Sequence, residues 1–193
     1  MLDLHDGSVL IDGADISKMP RTQVRTRLNA IPQEPFFIPN LSVRACIDPF
    51  GSLGDEEVVG ILKEIQLWEQ IGGNTGALDT VVDHSLLSHG QLQLLSLGRA
   101  LARRASTGNI LLLDEATSQL DQEAEDIVQQ VIHRCFSNHT VVAIAHRLDT
   151  IVGYDLVAVL DEGNVVEVGA PKDLLLQPRS IFKDLWDKQQ SGK

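Results

Sequence analysis

Apolar residues recur along this chain with two different periods, and each change of period marks an element. Between Gly54 and Gln70, Val58, Ile61, Leu62 and Ile65 fall at i, i+3, i+4 and i+7, the stripe of one helix. The cleanest helix is Gln122 to Cys135, where Ala124, Ile127, Val128, Val131, Ile132 and Cys135 share a face. Another runs from about Gly90 to Arg104, and a short basic one, "PRTQVRTRL", opens with Pro20, a residue suited to the first helical position. Two helices close the chain, Lys172 to Gln177 and Ile181 to about Gln189. The apolar runs at 110–113, 140–145 and 156–160 are continuous, which predicts strands buried on both faces of a parallel sheet. A helix lies between the first two runs, as a right-handed crossover requires. "GSVLIDG" alternates and ends in Asp-Gly, the pattern of a strand and a turn. Leu28 to Ile31 is a brief strand that the prolines of "NAIPQEPFFIPN" convert into an irregular loop. "IGGNTGALDTVVDH" reads as a glycine-rich loop, and "DLVAVLDEGNVVEVG" as a hairpin folding back at Glu162-Gly163-Asn164. The fold class is therefore α/β, with a parallel core and small antiparallel additions.

Bulk properties narrow the partners. A length of 193 residues suits one α/β domain or a little more. A formal net charge of -11 argues against a nucleic-acid partner and against direct adhesion to an anionic leaflet. No apolar run approaches the roughly 18 residues of a membrane span. Asp3, His5 and Asp6 break any signal-peptide core. Cys46 and Cys135 have no CxxC spacing and read as reduced thiols of a cytosolic compartment.

The chemistry begins at "NILLLDEATSQLD". Asp114 and Glu115 stand at the carboxyl end of a buried strand, where open parallel sheets place their ligands. Asp114 suits a magnesium ion held through water, and Glu115 suits a general base that polarises a water. Taken alone, the pair is a weak signal and reads more readily as solvated strand-end acids. "LSHGQ" puts a hydroxyl, free amides and the positive end of a helix together, a phosphate-binding combination, although Ser88 alone also reads as an N-cap. His146 closes the next apolar strand and Gln33 comes just after the short one, and neither is informative alone. Their order along the chain is.

That set resembles the nucleotide-binding domain of ATP-binding cassette (ABC) transporters. "IPQEP" is similar to the Q-loop, with Gln33. "LSHGQLQL" resembles the signature, with Ser88, His89, Gly90 and Gln91. "ILLLDE" resembles Walker B, with Asp114 and Glu115, while "SQLD" resembles the D-loop, with Asp121, and "AHR" the switch histidine, His146. "SVRACIDPF" and "SVLIDGADIS" are similar to the second nucleotide-binding domain of the multidrug-resistance-associated (C) branch. The resemblance implies a P-loop-NTPase-like sheet with a helical signature subdomain inserted at about residues 42–105. It also implies two such domains sandwiching ATP head to tail at the cytoplasmic face, coupled to transmembrane domains that export a cargo. By that analogy Asp114 and Gln33 attend to Mg2+, Glu115 activates the attacking water and His146 contacts the γ-phosphate. Ser88, His89, Gly90 and Gln91 face the partner's nucleotide, with Asp121 beside it. A glutamate at 115 is the hydrolysing form.

The chain departs from the family pattern in places. His89 stands where a glycine is usual, Leu92 and Gly98 are atypical of the signature helix, and no Glu-Gly step precedes the signature. No GxxxxGK[ST] occurs, and the chain opens on a stretch resembling the segment just after the Walker A helix. The expectation is of an amino-terminally truncated domain, inactive alone. It lacks a central strand between those ending at His146 and Leu160, so the isolated chain is expected to be molten or aggregated. Two other readings stand beside this one: a soluble ABC protein of DNA repair or translation, and a non-catalytic remnant that donates its signature to a complete domain.

Overall fold

The computed structural model describes residues 6–73, 75–82 and 87–191. Two compact units divide the chain, Met1–Val142 and Ala143–Lys193.

The first unit opens with a hairpin of β1 (Leu10–Ile11) and β2 (Ala14–Asp15). Asp12 and Gly13 both take positive φ, 50° and 76°, the two-residue geometry that Asp-Gly favours because it matches strand twist. A short helix, α1 (Arg21–Arg27), comes next; Pro20 sits at its N-cap rather than inside it, and only Val24 is buried. β3 (Leu28–Ile31) pairs in parallel with β4 (Ile110–Asp114), from Leu28 opposite Ile110 to Ile31 opposite Leu113. β5 (Thr140–Ile144), of which Thr140 to Val142 belong to this unit, completes a sheet of order β3-β4-β5.

The expected burial on both faces does not hold for every strand. In β4, Leu111 and Leu113 are buried while Ile110 and Leu112 are only half covered. In β5, Val142 and Ile144 are 50% and 60% exposed. The reason is topological: β5 is an edge strand of this sheet, and the next apolar run pairs in a different sheet.

Between β3 and β4 lie three helices, α2 (Val43–Ile47), α3 (Asp55–Glu64) and α4 (His89–Arg103). α2 is absent from the sequence pattern because five residues are too few to show a period. The segment Thr75–Asp79, expected as loop, forms a 3-10 turn that buries Ala77 and Leu78. Residues 74, 83 and 84 of that expected loop lie outside the described residues. Gly98 has a packing role: a Cβ there would lie 2.6 Å from Ile47 Cδ1 and 2.9 Å from Ile65 Cδ1. The missing side chain lets α4 seat against α2 and α3, which explains an atypical residue of the signature helix. After β4, α5 (Gln122–Cys135) buries Ala124, Ile127, Val128, Val131 and Ile132, the face predicted, with Cys135 half-buried.

The second unit contains β6 (Val157–Asp161) and β7 (Asn164–Gly169), an antiparallel pair turning at Glu162 and Gly163, both at positive φ. Asn164 belongs to β7 rather than to the turn. Helices α6 (Pro171–Leu176) and α7 (Ile181–Ser191) complete this unit, whose core is Val157, Val159, Leu174 and Phe182. The Glu167 carboxylate accepts from the amide of Phe182 at 2.8 Å, so β7 caps the start of α7. The parallel sheet, interleaved helices and antiparallel additions give the expected α/β class.

Candidate functional site

β4 delivers two carboxylates side by side. Asp114, its last residue, is exposed. Glu115 comes next at φ +47°, in the left-handed region that a β-carbon makes costly, and its carbonyl accepts from the amide of Ser118 at 3.0 Å. The turn breaks strand alternation there, so both acids stand at one sheet end. The Gln33 side chain, just beyond β3, donates from Nε2 to Glu115 Oε2 at 2.7 Å. Parallel pairing of β3 with β4 explains this: both strands end in register, so the residues just beyond them meet across 82 residues of sequence.

The signature stretch sits at the start of α4. Ser88 is its N-cap, with Oγ accepting from the amide of Gln91 at 3.2 Å, and Gln91 Oε1 accepts from the amide of Ser88 at 2.8 Å. This reciprocal capping box uses the Ser88 hydroxyl and the Gln91 amide, while Gln91 Nε2 donates to Gln70 Oε1 at 2.7 Å. The N-cap reading of Ser88 is therefore realised. His89 Nε2 lies 3.6 Å from Glu34 Oε2, linking the signature to the loop that carries Gln33. A Cβ on Gly90 would come within 3.5 Å of Ala124 Cβ and 3.7 Å of Leu120 Cδ2, which places the start of α4 against the start of α5. Asp121 caps α5, accepting from the amide of Ala124 at 2.8 Å.

His146 lies just after β5 and belongs to the second unit. There its carbonyl accepts from Gln189 Nε2 at 2.8 Å, and Gln189 Oε1 accepts from the amide of Leu148 at 2.8 Å. One α7 glutamine thus grips the backbone on both sides of Arg147.

Sequence reasoning missed the residues that hold the Gln33 loop. Asn29 donates to the Ala100 carbonyl at 2.7 Å, Gln93 to the Pro32 carbonyl at 2.9 Å, and Arg99 to the Phe36 carbonyl at 3.1 Å. Arg99 also donates to the Cys46 carbonyl at 3.0 Å, and its guanidinium lies 4.3 Å from the centre of the Phe37 ring. The available signal was a polar residue, Gln93, inside the apolar stripe of α4.

In chemical terms, the residues offer carboxylate oxygens at a sheet end and, at a helix start, amides of which those of Ser88 and Gln91 are already capped. Among the described residues no group of three or more His, Cys, Asp or Glu is arranged to enclose a metal ion. One or two oxygen donors suit a hard cation that keeps waters and takes its other ligands from a phosphate.

Comparison with known proteins agrees with this architecture. The family model described as ABC transporter matches residues 1–118. The chain is 40% identical over 186 residues to ABC transporter atnG of Emericella nidulans, covering 96% of the chain and 12% of that protein. It is 43% identical over 186 residues to ABC multidrug transporter B of Aspergillus fumigatus, again 96% of the chain and 12% of the relative. With ABC transporter C family member 1 of Dictyostelium discoideum it shares 37% identity over 187 residues, 96% of the chain and 14% of the relative. Among solved structures, a bacterial Atm1-family ABC exporter with ATP bound superposes with a TM-score of 0.85 at 31% identity, covering 97% of this chain and 33% of that one. The fold is that of a P-loop-NTPase-like α/β domain. The chain belongs to the ABC transporter family and matches its nucleotide-binding domain. It spans about an eighth of the length of the curated relatives it matches.

Proposed function

We propose that this chain is the Walker B, signature and switch portion of an ATP-hydrolysing nucleotide-binding domain, held at the cytoplasmic face of a membrane by the transmembrane domains of an exporter. A second nucleotide-binding domain would pair with it head to tail. The observation that carries the reading is the Gln33–Glu115 hydrogen bond of 2.7 Å, which joins Q-loop and Walker B residues at one sheet end. In this reading a bound Mg2+ ion would polarise the terminal phosphoanhydride of ATP for attack by water. Asp114 and the Gln33 carbonyl oxygen are the groups that would hold the ion. Glu115 accepts a proton from the attacking water, and Gln33 orients the carboxylate that does so. His146 is the residue that would reach the γ-phosphate. Ser88, His89, Gly90, Gln91 and Asp121 line the face toward the partner domain, where the amides at the start of α4 favour an anion. The subdomain boundary at about 42–105 belongs to the same reading: it encloses α2, α3 and α4 between two strands of the sheet.

The test is Glu115→Gln in the assembled transporter. Turnover should fall roughly 10²–10⁴-fold while ATP stays bound, because Asp114 is untouched. Turnover at the unmodified rate would remove Glu115 from the mechanism.

A second reading makes the chain a signature donor without hydrolysis of its own. The capped start of α4, complete within these residues, favours it. The 193 residues contain no GxxxxGK[ST], so this chain alone should bind Mg-ATP poorly. Titration calorimetry of the isolated chain checks this, and a micromolar magnesium-dependent affinity would count against both points.

A further inference from the structure

Gln93 lies on the buried face of α4, 1% exposed. Its Nε2 donates to the Pro32 carbonyl at 2.9 Å across 61 residues of sequence, and its Oε1 has no hydrogen-bond partner among the described residues. A half-satisfied amide is a poor choice for filling an apolar helix face, since leucine or methionine would fill it without an orphan acceptor. What the amide does, and those residues could not, is hold one carbonyl. Proline has no N–H, so that carbonyl is the whole hydrogen-bonding capacity of the Pro32 backbone. It also belongs to the planar peptide unit that leads into Gln33, so fixing it fixes the direction in which Gln33 departs. The Gln33 side chain then reaches Glu115 at 2.7 Å. Asn29 and Arg99 anchor the same segment to α4 on either side, through the Ala100 and Phe36 carbonyls, and the Gln93 anchor is the one adjoining Gln33.

We propose that Gln93 is a positioning residue: by clamping the Pro32–Gln33 peptide to α4 it holds the Gln33 carboxamide on Glu115, and so ties the geometry of that pair to the helix that begins beside Ser88. Its consequence for hydrolysis rests on the proposed nucleotide-binding role; the clamp itself does not.

Heteronuclear NMR of the isotope-labelled chain, joined to the remainder of a nucleotide-binding domain and kept at low ionic strength, tests the clamp without nucleotide. A through-hydrogen-bond correlation between Gln93 Nε2 and the Pro32 carbonyl carbon is expected in the unmodified chain, and its absence overturns the proposal whatever any variant does. Gln33 side-chain amide signals are identified by their loss in Gln33→Leu. In Gln93→Met they should move to the positions they take in Glu115→Ala, while the melting temperature changes by less than about 5 °C. If Gln93 merely fills space, Gln93→Met will leave these signals in place although Glu115→Ala shifts them, and the proposal fails. In the assembled transporter, Gln93→Met should lower turnover about 10-fold or more, with the nucleotide KM within about twofold. A transporter that never engages nucleotide would sink the proposed function and leave the NMR result to decide the clamp.

Discussion

Glu115 is held where few non-glycine residues sit, at φ +47°, and such strain persists only where surrounding contacts over-determine it. Here the contacts are the turn to Ser118 and the bond from Gln33. Residues of a different kind contribute to the response at alkaline pH. Cys46 is fully buried, and burial pushes its thiol above the ordinary range, with Arg99 opposing. Burial raises the Cys135 thiol too, helped by its contact with Glu64. A raised folded-state pKa means the folded chain retains protons that the unfolded chain has released. The contribution is therefore full below the unfolded thiol pKa of about 8.5 and is lost as pH rises through the folded value. Thermal melting between neutral pH and pH 10 should show a falling alkaline limb, and Cys46→Ala should flatten it while lowering stability at neutral pH. An identical limb in Cys46→Ala would clear Cys46 of the effect.

At the scale of elements, α4 is the organiser. One face takes the side-chain ends of Ile47 and Ile65 into the space at Gly98, and another holds the segment just after β3 through Gln93 and Arg99. The entry to β4 is tighter still. A Cβ on Gly108 would lie 2.5 Å from the Arg27 carbonyl oxygen and 2.9 Å from the Arg27 Cα. These are backbone atoms at the junction of α1 and β3, held also by the Gly108 amide donating to Thr26 at 3.1 Å, so they have little room to move. Gly108→Ala should destabilise by about 1–3 kcal/mol, as overpacking does, lowering the melting temperature by roughly 2–12 °C for a chain of this size. An unchanged melting temperature would mean that α1 and β4 do not approach as described.

Over the whole molecule, charge and exposed apolar surface oppose each other. The net charge of -11 keeps copies apart, whereas Val142 and Ile144 in the first sheet, and Leu160, Val165 and Val168 in the hairpin, are each at least half exposed. An exposed apolar edge strand is a template for pairing with another copy. Salt shortens the screening length from about 30 Å at 0.01 M to about 3 Å at 1 M, which removes the repulsion and leaves the apolar attraction. Size-exclusion chromatography should therefore show self-association that grows with salt, accompanied by binding of an apolar dye. Association that weakens with salt would point to ion pairs instead and contradict this account.

Much of the molecule was legible in the chain alone because its signals are local. The stripe of α5, the Asp-Gly turn at 12–13 and the run from β4 into Asp114 and Glu115 each stem from periodicity or from one residue's backbone preference. The order of Gln33, Ser88, Asp114, Asp121 and His146 was likewise a property of the chain, and it was enough to point to the family. Burial in β5 was not legible, since an apolar run states only what a strand can bury and its neighbours settle what it does bury. Neither was α2, nor the 3-10 turn at Thr75–Asp79, both too short to carry a period. The meeting of Gln33 with Glu115 and the grip of Gln93 on Pro32 depend on parallel register and on α4 lying along the β3 segment. Those are contacts across 82 and 61 residues, and only the packed structure decides them, because no local preference acts over such a distance.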